Sequence, residues 1–190
     1  MIGFPSKVLV LADYPNPHFT DRVPGPIDFV LSCGDVDFQI LQEVFELFRK
    51  PIFAVKGNHD STQPFPSCVK DVSLKLVQHR NWLIGGLEGV PAFKSVGAYQ
   101  WDDMAVTEKL DRFPYVDVFI CHSPLHGITD KADYAHCGSE AILRYVREKQ
   151  PQYVFHGHVH AEMGTMIGGC AVVSVFGFRV CTLAKSAGQG

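Results

Sequence analysis

The chain has 190 residues, of which 46% are hydrophobic and 19% charged, and its formal net charge is −3. That length suits one domain burying roughly 70% of its unfolded surface, a core that needs no disulfide or metal staple. The mild acidity argues against a phosphate-tracking face for duplex nucleic acid, and no apolar run approaches the ~20 residues of a membrane span.

Apolar runs of strand length predict strands over Lys7–Ala12, Phe29–Cys33 and Ile52–Val55. Between the last two, Ile40, Leu41, Val44, Phe45, Leu47 and Phe48 recur at helical spacing ahead of Pro51, which predicts a helix over Phe38–Phe48. Further strands are expected over Leu74–Val77, Trp82–Ile84 and Val116–Cys121, with a weaker helix near Met104–Leu110. A third helix is predicted over Glu140–Lys149, with Ser139 as N-cap, an Ile142/Leu143/Val146 stripe and Pro151 beyond. Strands over Tyr153–His156, Ala171–Val175 and Arg179–Leu183 follow. Strand–helix–strand order in the first half implies parallel pairing, whereas the strands after Ala161 read as antiparallel. The result is a layered α/β domain over 1–190. Its segment 61–121, rich in Pro, Gly and aromatic residues, is too long for one loop and is expected to hold strands, a lid and the determinants of specificity.

The six cysteines form no CxxC pair, and Cys33, Cys121 and Cys181 lie in strand-like runs. They read as reduced, buried thiols of a cytoplasmic protein, and the N-terminus does not read as a signal peptide. The informative residues stand where strands end. Apolar runs lead into Asp13, into Gly34-Asp35, into Gly57-Asn58-His59-Asp60, into His122, and into His156-Gly157-His158-Val159-His160. In α/β sheets that carboxyl edge binds ligands. Taken singly, each is as well explained by a turn or a satisfied core histidine; five in one order are not. Carboxylate, amide and imidazole without clustered thiols suit Mn, Fe or Zn, and shared carboxylates suit a two-metal centre. Cys121 beside His122 makes a poor nucleophilic dyad, because neighbouring strand residues face opposite ways.

In these five blocks the sequence resembles the calcineurin-like metallophosphoesterases, whose signature runs D-x-H, G-D, G-N-H-[DE], H and G-H-x-H. Four blocks match in full and extend across nearly the whole chain. The resemblance implies a four-layer αββα sandwich with mixed sheets and a centre of one or two divalent ions. It implies that Asp35 bridges the metals, that Asn58, His122 and His158 complete one, and that Asp13 and His160 hold the other. His59 would protonate the leaving oxygen, and Asp60 would orient His59. The expected reaction is hydrolysis of a phosphomonoester or phosphodiester, on a small molecule or peptide, by a metal-bound hydroxide. The alternative within the resemblance is a weakly catalytic or non-catalytic scaffold that binds a protein.

The first block departs from the signature, since Pro15 stands where the family has histidine. The Asp13/His160 site is therefore expected to bind its ion more weakly, unless His18 folds back to replace the missing ligand. His156 is read as packing at a strand end. His126 and His136, on a polar loop with Asp130, Lys131 and Asp133, are candidates for the site entrance. His79 beside Arg80 is expected to face solvent, and Lys56 and Arg179 either meet a substrate's charge or are solvated.

Overall fold

The computed structural model describes residues 4–14, 25–94 and 97–185, so that Pro15 and His18 lie outside the described residues. The first half of the chain runs β1 (Ser6–Ala12), β2 (Phe29–Ser32), α1 (Phe38–Phe48), β3 (Ile52–Ala54), β4 (Val69–Asp71), β5 (Val77–His79), β6 (Trp82–Leu87), β7 (Val90–Pro91) and β8 (Gln100–Trp101). There follow α2 (Asp103–Arg112), β9 (Val118–Cys121), α3 (Glu140–Lys149), β10 (Tyr153–His156), β11 (Met163–Ile167), β12 (Cys170–Ser174) and β13 (Gly177–Leu183). Among the described residues no helix is long and apolar enough to cross a membrane.

Two mixed sheets form, in the orders β13-β1-β2-β3-β4 and β11-β12-β10-β9-β6-β5. Their centres are parallel, and β13, β11 and β5 close edges in the antiparallel sense. The antiparallel reading of the C-terminal strands therefore holds for β11 with β12 and for β13 with β1, while the other edge of β12 pairs parallel with β10.

Side-chain period two explains the layering. Val8, Val10, Phe29 and Leu31 point to the space between the sheets, where they meet Trp82, Ile84, Val118, Ile120 and Phe155. The alternate residues Leu9, Leu11 and Val30 pack beneath Ile40, Leu41 and Val44 of α1. The outer face of the second sheet packs on α2 and α3 through Phe119, Leu110, Ile142 and Val146. The layers are thus αββα. Trp82 crosses the middle, and its indole N–H donates to the buried Ser6 hydroxyl at 2.9 Å, so its polar edge is satisfied.

Local signals place the helices. Asp37, Asp102 and Ser139 cap the three N-termini through their side chains, and Arg49 and Gln150 end α1 and α3 in the left-handed conformation.

The segment 61–121 supplies β4 to one sheet and β5, β6 and β9 to the other. Among its described residues, the small β7–β8 pair stands apart from the two main sheets, and α2 packs on the outer face of the second. His79 departs from the solvent-facing expectation: its ring lies 5.4 and 5.3 Å from those of Phe29 and Phe53. Pairing of β5 with β6 turns it toward the space between the sheets, and burial lowers its pKa.

Candidate metal centre

The carboxyl ends of β1, β2, β3, β9 and β10 converge on one edge of the sandwich and carry Asp13, Asp35, Asn58, His122, His158 and His160. Backbone approach there is close. A Cβ on Gly57 would stand 2.1 Å from Asp35 Oδ1, and one on Gly157 would stand 2.7 Å from Asp13 Oδ2. Glycine before these ligands is therefore a spatial requirement as well as a turn preference. Asp13, Asp35, His158 and His160 all have positive φ, at 49°, 54°, 71° and 47°. Each such conformation costs about 1–3 kcal/mol in a non-glycine residue and collects at functional sites.

Asp13, Asp35 and His122 each offer a ligand atom within 4.8 Å of the others. His122 is fully buried; its Nδ1–H donates to the Cys33 carbonyl at 2.8 Å, which turns Nε2 toward the centre. That Nε2 lies 3.1 Å from Asn58 Oδ1, 3.3 Å from Asp35 Oδ2 and 4.0 Å from Asp13 Oδ1. On the other side of Asp13, His160 Nε2 is 3.6 Å from Oδ1. Asp13 Oδ1 thus stands between two imidazoles, buried and with no hydrogen bond, and Asn58 Nδ2 is likewise buried and unpartnered. A buried carboxylate oxygen without a partner, beside a second carboxylate, is costly unless a cation, proton or metal ion, joins them. The set fits a divalent ion held by oxygen and imidazole nitrogen.

The electrostatics agree. Burial raises the pKa of Asp13 despite His122, and burial of Asp35 is overcome by the bond and charge of His122, leaving it lowered. His122 loses basicity by burial but gains more from Asp35 and Asp13, ending at about 9. A cation is what these carboxylates hold, whether proton or metal.

The remaining predicted residues fall as follows. The ring of His158 is 5.1 Å from that of His122, its amide donates to Asp13 Oδ2 at 2.7 Å, and its Nε2–H donates to the Ala135 carbonyl at 2.8 Å. His59 is exposed, and its amide donates to Asp35 Oδ1 at 2.8 Å. It lines a cleft of about 330 Å³ with Tyr14, Asp35, Asp37, Phe38, Asp60 and Ser61. Asp60 differs from its expected role. Its Oδ2 accepts the amides of Asp35 at 2.9 Å and Gly57 at 2.7 Å, so it joins the second and third blocks and does not grip the His59 ring.

Lys56 is buried, neither solvated nor free for substrate. Its ammonium donates to the carbonyls of Ser61 and Gln63 and to the Tyr99 hydroxyl, over the rings of Phe38, Phe65 and Tyr99. Arg179 is exposed. His156 is fully buried with Nδ1–H donated to the Gly157 carbonyl at 3.0 Å, in keeping with a packing role. His136 reaches the centre, its ring 5.1 Å from that of His158, whereas His126 turns away toward Asp130 and Cys137. The Cys33 and Ala135 carbonyls, which orient two imidazoles, carry no side-chain signal and escape sequence reasoning. Tyr14 and Ser61 could have been found as neighbours of Asp13 and Asp60.

The family model for calcineurin-like phosphoesterases matches residues 10–162. Among solved structures, TT1561 of Thermus thermophilus is 13% identical with a TM-score of 0.63, covering 95% of this chain and 99% of that one. Phosphopantetheinyl hydrolase (PptH) of Mycobacterium tuberculosis is 14% identical with a TM-score of 0.55, covering 92% and 91%. Wild-type Vps29 complexed with Zn²⁺, from Entamoeba histolytica, is 19% identical with a TM-score of 0.50, covering 90% and 74%. At these identities the likeness is one of fold. No curated protein matches the chain.

Proposed function

The chain belongs to the calcineurin-like phosphoesterase family, and on that premise we propose that it is a metal-dependent phosphoesterase acting on phosphomonoesters or phosphodiesters. The observation that carries this reading is the buried, unpartnered Asp13 Oδ1 between the imidazoles of His122 and His160, beside Asp35 and Asn58. Asp35, Asn58, His122 and His158 would hold one ion and Asp13 and His160 a second, of the Mn, Fe or Zn class. Such ions supply an acidified water for attack and positive charge against the phosphate oxygens.

The chain's own residues do the rest. The Asp35 carboxylate fixes the His59 amide, so the exposed imidazole is presented to the cleft, where it would give a proton to the leaving oxygen. Tyr14, Phe38 and Ser61 would contact the group that the phosphate esterifies. With Pro15 in place of a histidine, the Asp13/His160 site would bind more weakly. Six free thiols support a reducing, cytoplasmic setting.

The test is hydrolysis of an aryl phosphate and its diester by Mn²⁺-loaded protein. Loss on Asn58→Ala and His59→Ala is expected, and full activity in both would overturn the proposal. Pro15 favours one second reading, a scaffold that binds a protein partner. Absence of bound transition metal together with absence of hydrolysis would select it; the exposed His59, which a scaffold does not need, supports the enzyme.

A further inference from the structure

We propose that His126, Asp130 and Cys137 form a separate zinc-type metal site, with one imidazole, one carboxylate and one thiolate ligand, on the loop between β9 and α3. Nothing in it depends on the phosphoesterase reading, and it shares no residue with the centre described above.

Local structure assembles the site from two directions. The amides of Ile128 and Thr129 both donate to the Leu125 carbonyl, a helical turn that puts His126 and Asp130 on one side. Cys137 arrives from the far end of the loop. There Leu125 bridges Ser139, the His126 amide donates to the Ser139 carbonyl, and the Ser139 amide donates to the Pro124 carbonyl. The two chain segments touch at Gly138, where a Cβ would stand 2.4 Å from the His126 nitrogen. Asp130 Oδ2 also accepts the Gly138 amide at 3.2 Å, which fixes the carboxylate beside the thiol.

The distances match a coordination sphere. His126 Nδ1 lies 3.3 Å from Asp130 Oδ2 and 3.6 Å from Cys137 Sγ, and the three atoms are mutually within 4.8 Å. A tetrahedral ion with Zn–N and Zn–O of about 2.0–2.2 Å and Zn–S of about 2.3 Å separates nitrogen from oxygen by roughly 3.3–3.5 Å and nitrogen from sulfur by roughly 3.5–3.6 Å. A thiolate with imidazole selects zinc over magnesium or calcium. Cys137 is exposed, so solvent can supply the fourth ligand.

A nucleophilic Cys–His–Asp relay would need the thiol and the carboxylate on opposite nitrogens of the ring. Here both face Nδ1, an arrangement a metal can use and a relay cannot. The other nitrogen, Nε2, faces Glu140 Oε1 at 3.8 Å, on the side where a carboxylate orients a metal-bound histidine. An ion here would also fasten the loop whose Ala135 carbonyl holds His158.

Cobalt(II) substitution of the full chain tests the proposal, because only a thiolate ligand gives the intense sulfur-to-cobalt charge-transfer band. The first centre contains no cysteine, so the band isolates the second. The expected results are a band that saturates near one equivalent, survives in Asp35→Asn and disappears in Cys137→Ser, with at least tenfold weaker binding in His126→Ala. Zinc should also slow alkylation of Cys137 at least tenfold in the wild-type chain, and leave Cys68 unaffected. No band in folded wild-type protein would overturn the site, as would a band lost in Asp35→Asn, or one unchanged in a Cys137→Ser variant that melts like wild type. Equal alkylation of Cys137 with and without zinc would overturn it independently.

Discussion

Replacing Asp60 by alanine removes the oxygen that joins the second and third sequence blocks. Asp60 Oδ2 receives the amides of Asp35 and Gly57 at 2.9 and 2.7 Å. A hydrogen bond to a charged group contributes about 1.5–3 kcal/mol, and an orphaned amide costs about 1–3 kcal/mol. Two such bonds set an upper range of roughly 3–6 kcal/mol. The site is only part-buried, so water can satisfy some of the loss, and the variant is relieved of a carboxylate that burial disfavours. A net destabilisation of about 2–4 kcal/mol is expected, or roughly 4–16 °C in Tm at about 2–4 °C per kcal/mol for a chain of this size.

Asp60→Asn keeps an acceptor oxygen without its charge and should lose about half as much, since charge-assisted bonds are roughly twice as strong as neutral ones. His59→Ala removes an exposed side chain and should stay within about 0.5 kcal/mol of wild type. The assay is thermal unfolding followed by circular dichroism, with chelator present so that metal affinity does not enter. Amide exchange at Asp35 and Gly57 should rise in the same order. If Asp60→Ala melts within about 1 °C of wild type while hydrolysis is lost, Asp60 acts on the His59 imidazole and does not hold the two blocks together.

Gly157→Ala would place a methyl 2.7 Å from Asp13 Oδ2 and 2.9 Å from the Ala12 Cβ. It should cost about 1–3 kcal/mol by overpacking and weaken metal binding at least tenfold, read by melting and by calorimetric titration. In the metal-free chain His122 is raised from 6.5 to about 9, chiefly by Asp35 against the opposing effect of burial. An ion binding near neutral pH must therefore displace about one proton, and affinity should climb with pH until about 9. The stabilisation of the metal-free fold from protonated His122 is full below 6.5 and fades as pH rises through about 9. Titration in buffers of different ionisation enthalpy counts the proton, and a count of zero contradicts the arrangement. Lys56→Met would strand the Gln63 carbonyl and leave the Ser61 carbonyl with only the Tyr99 hydroxyl, which donates to it at 3.3 Å. A loss of about 1–3 kcal/mol is expected, with faster amide exchange over 61–63; an unchanged melt would mean the ammonium is dispensable.

Much of the architecture is local and was legible in the chain. The α1 and α3 boundaries follow from amphipathic spacing, from Pro51 and Pro151 beyond their ends and from Ser139 as the α3 cap; the structure adds Asp37 as the cap of α1. Strand β10 is a four-residue strand whose Tyr153–Phe155 run leads through His156 into the ligand block. By contrast β4, β7 and β8 span only two or three residues, β11 is largely exposed, and each is held by the neighbouring strand that pairs with it. Their residues carry no alternation strong enough to predict them.

The same division runs through the site. The identity and order of Asp13, Asp35, Asn58, His122, His158 and His160 are readable because each follows an apolar strand, and parallel strands deliver their carboxyl ends to one edge. Which atoms meet is set by contacts between residues far apart in sequence. Asp60 turns to the Asp35 amide, Lys56 sinks beneath Tyr99, and His79 packs on Phe29. The pairing of Leu125 with Ser139 brings Cys137 to His126. A side chain's chemistry is a property of the residue, so sequence alone determined the donors. Its partner is a property of the packed chain, so only the tertiary structure decided which donors stand close enough to share a cation and which hold the frame.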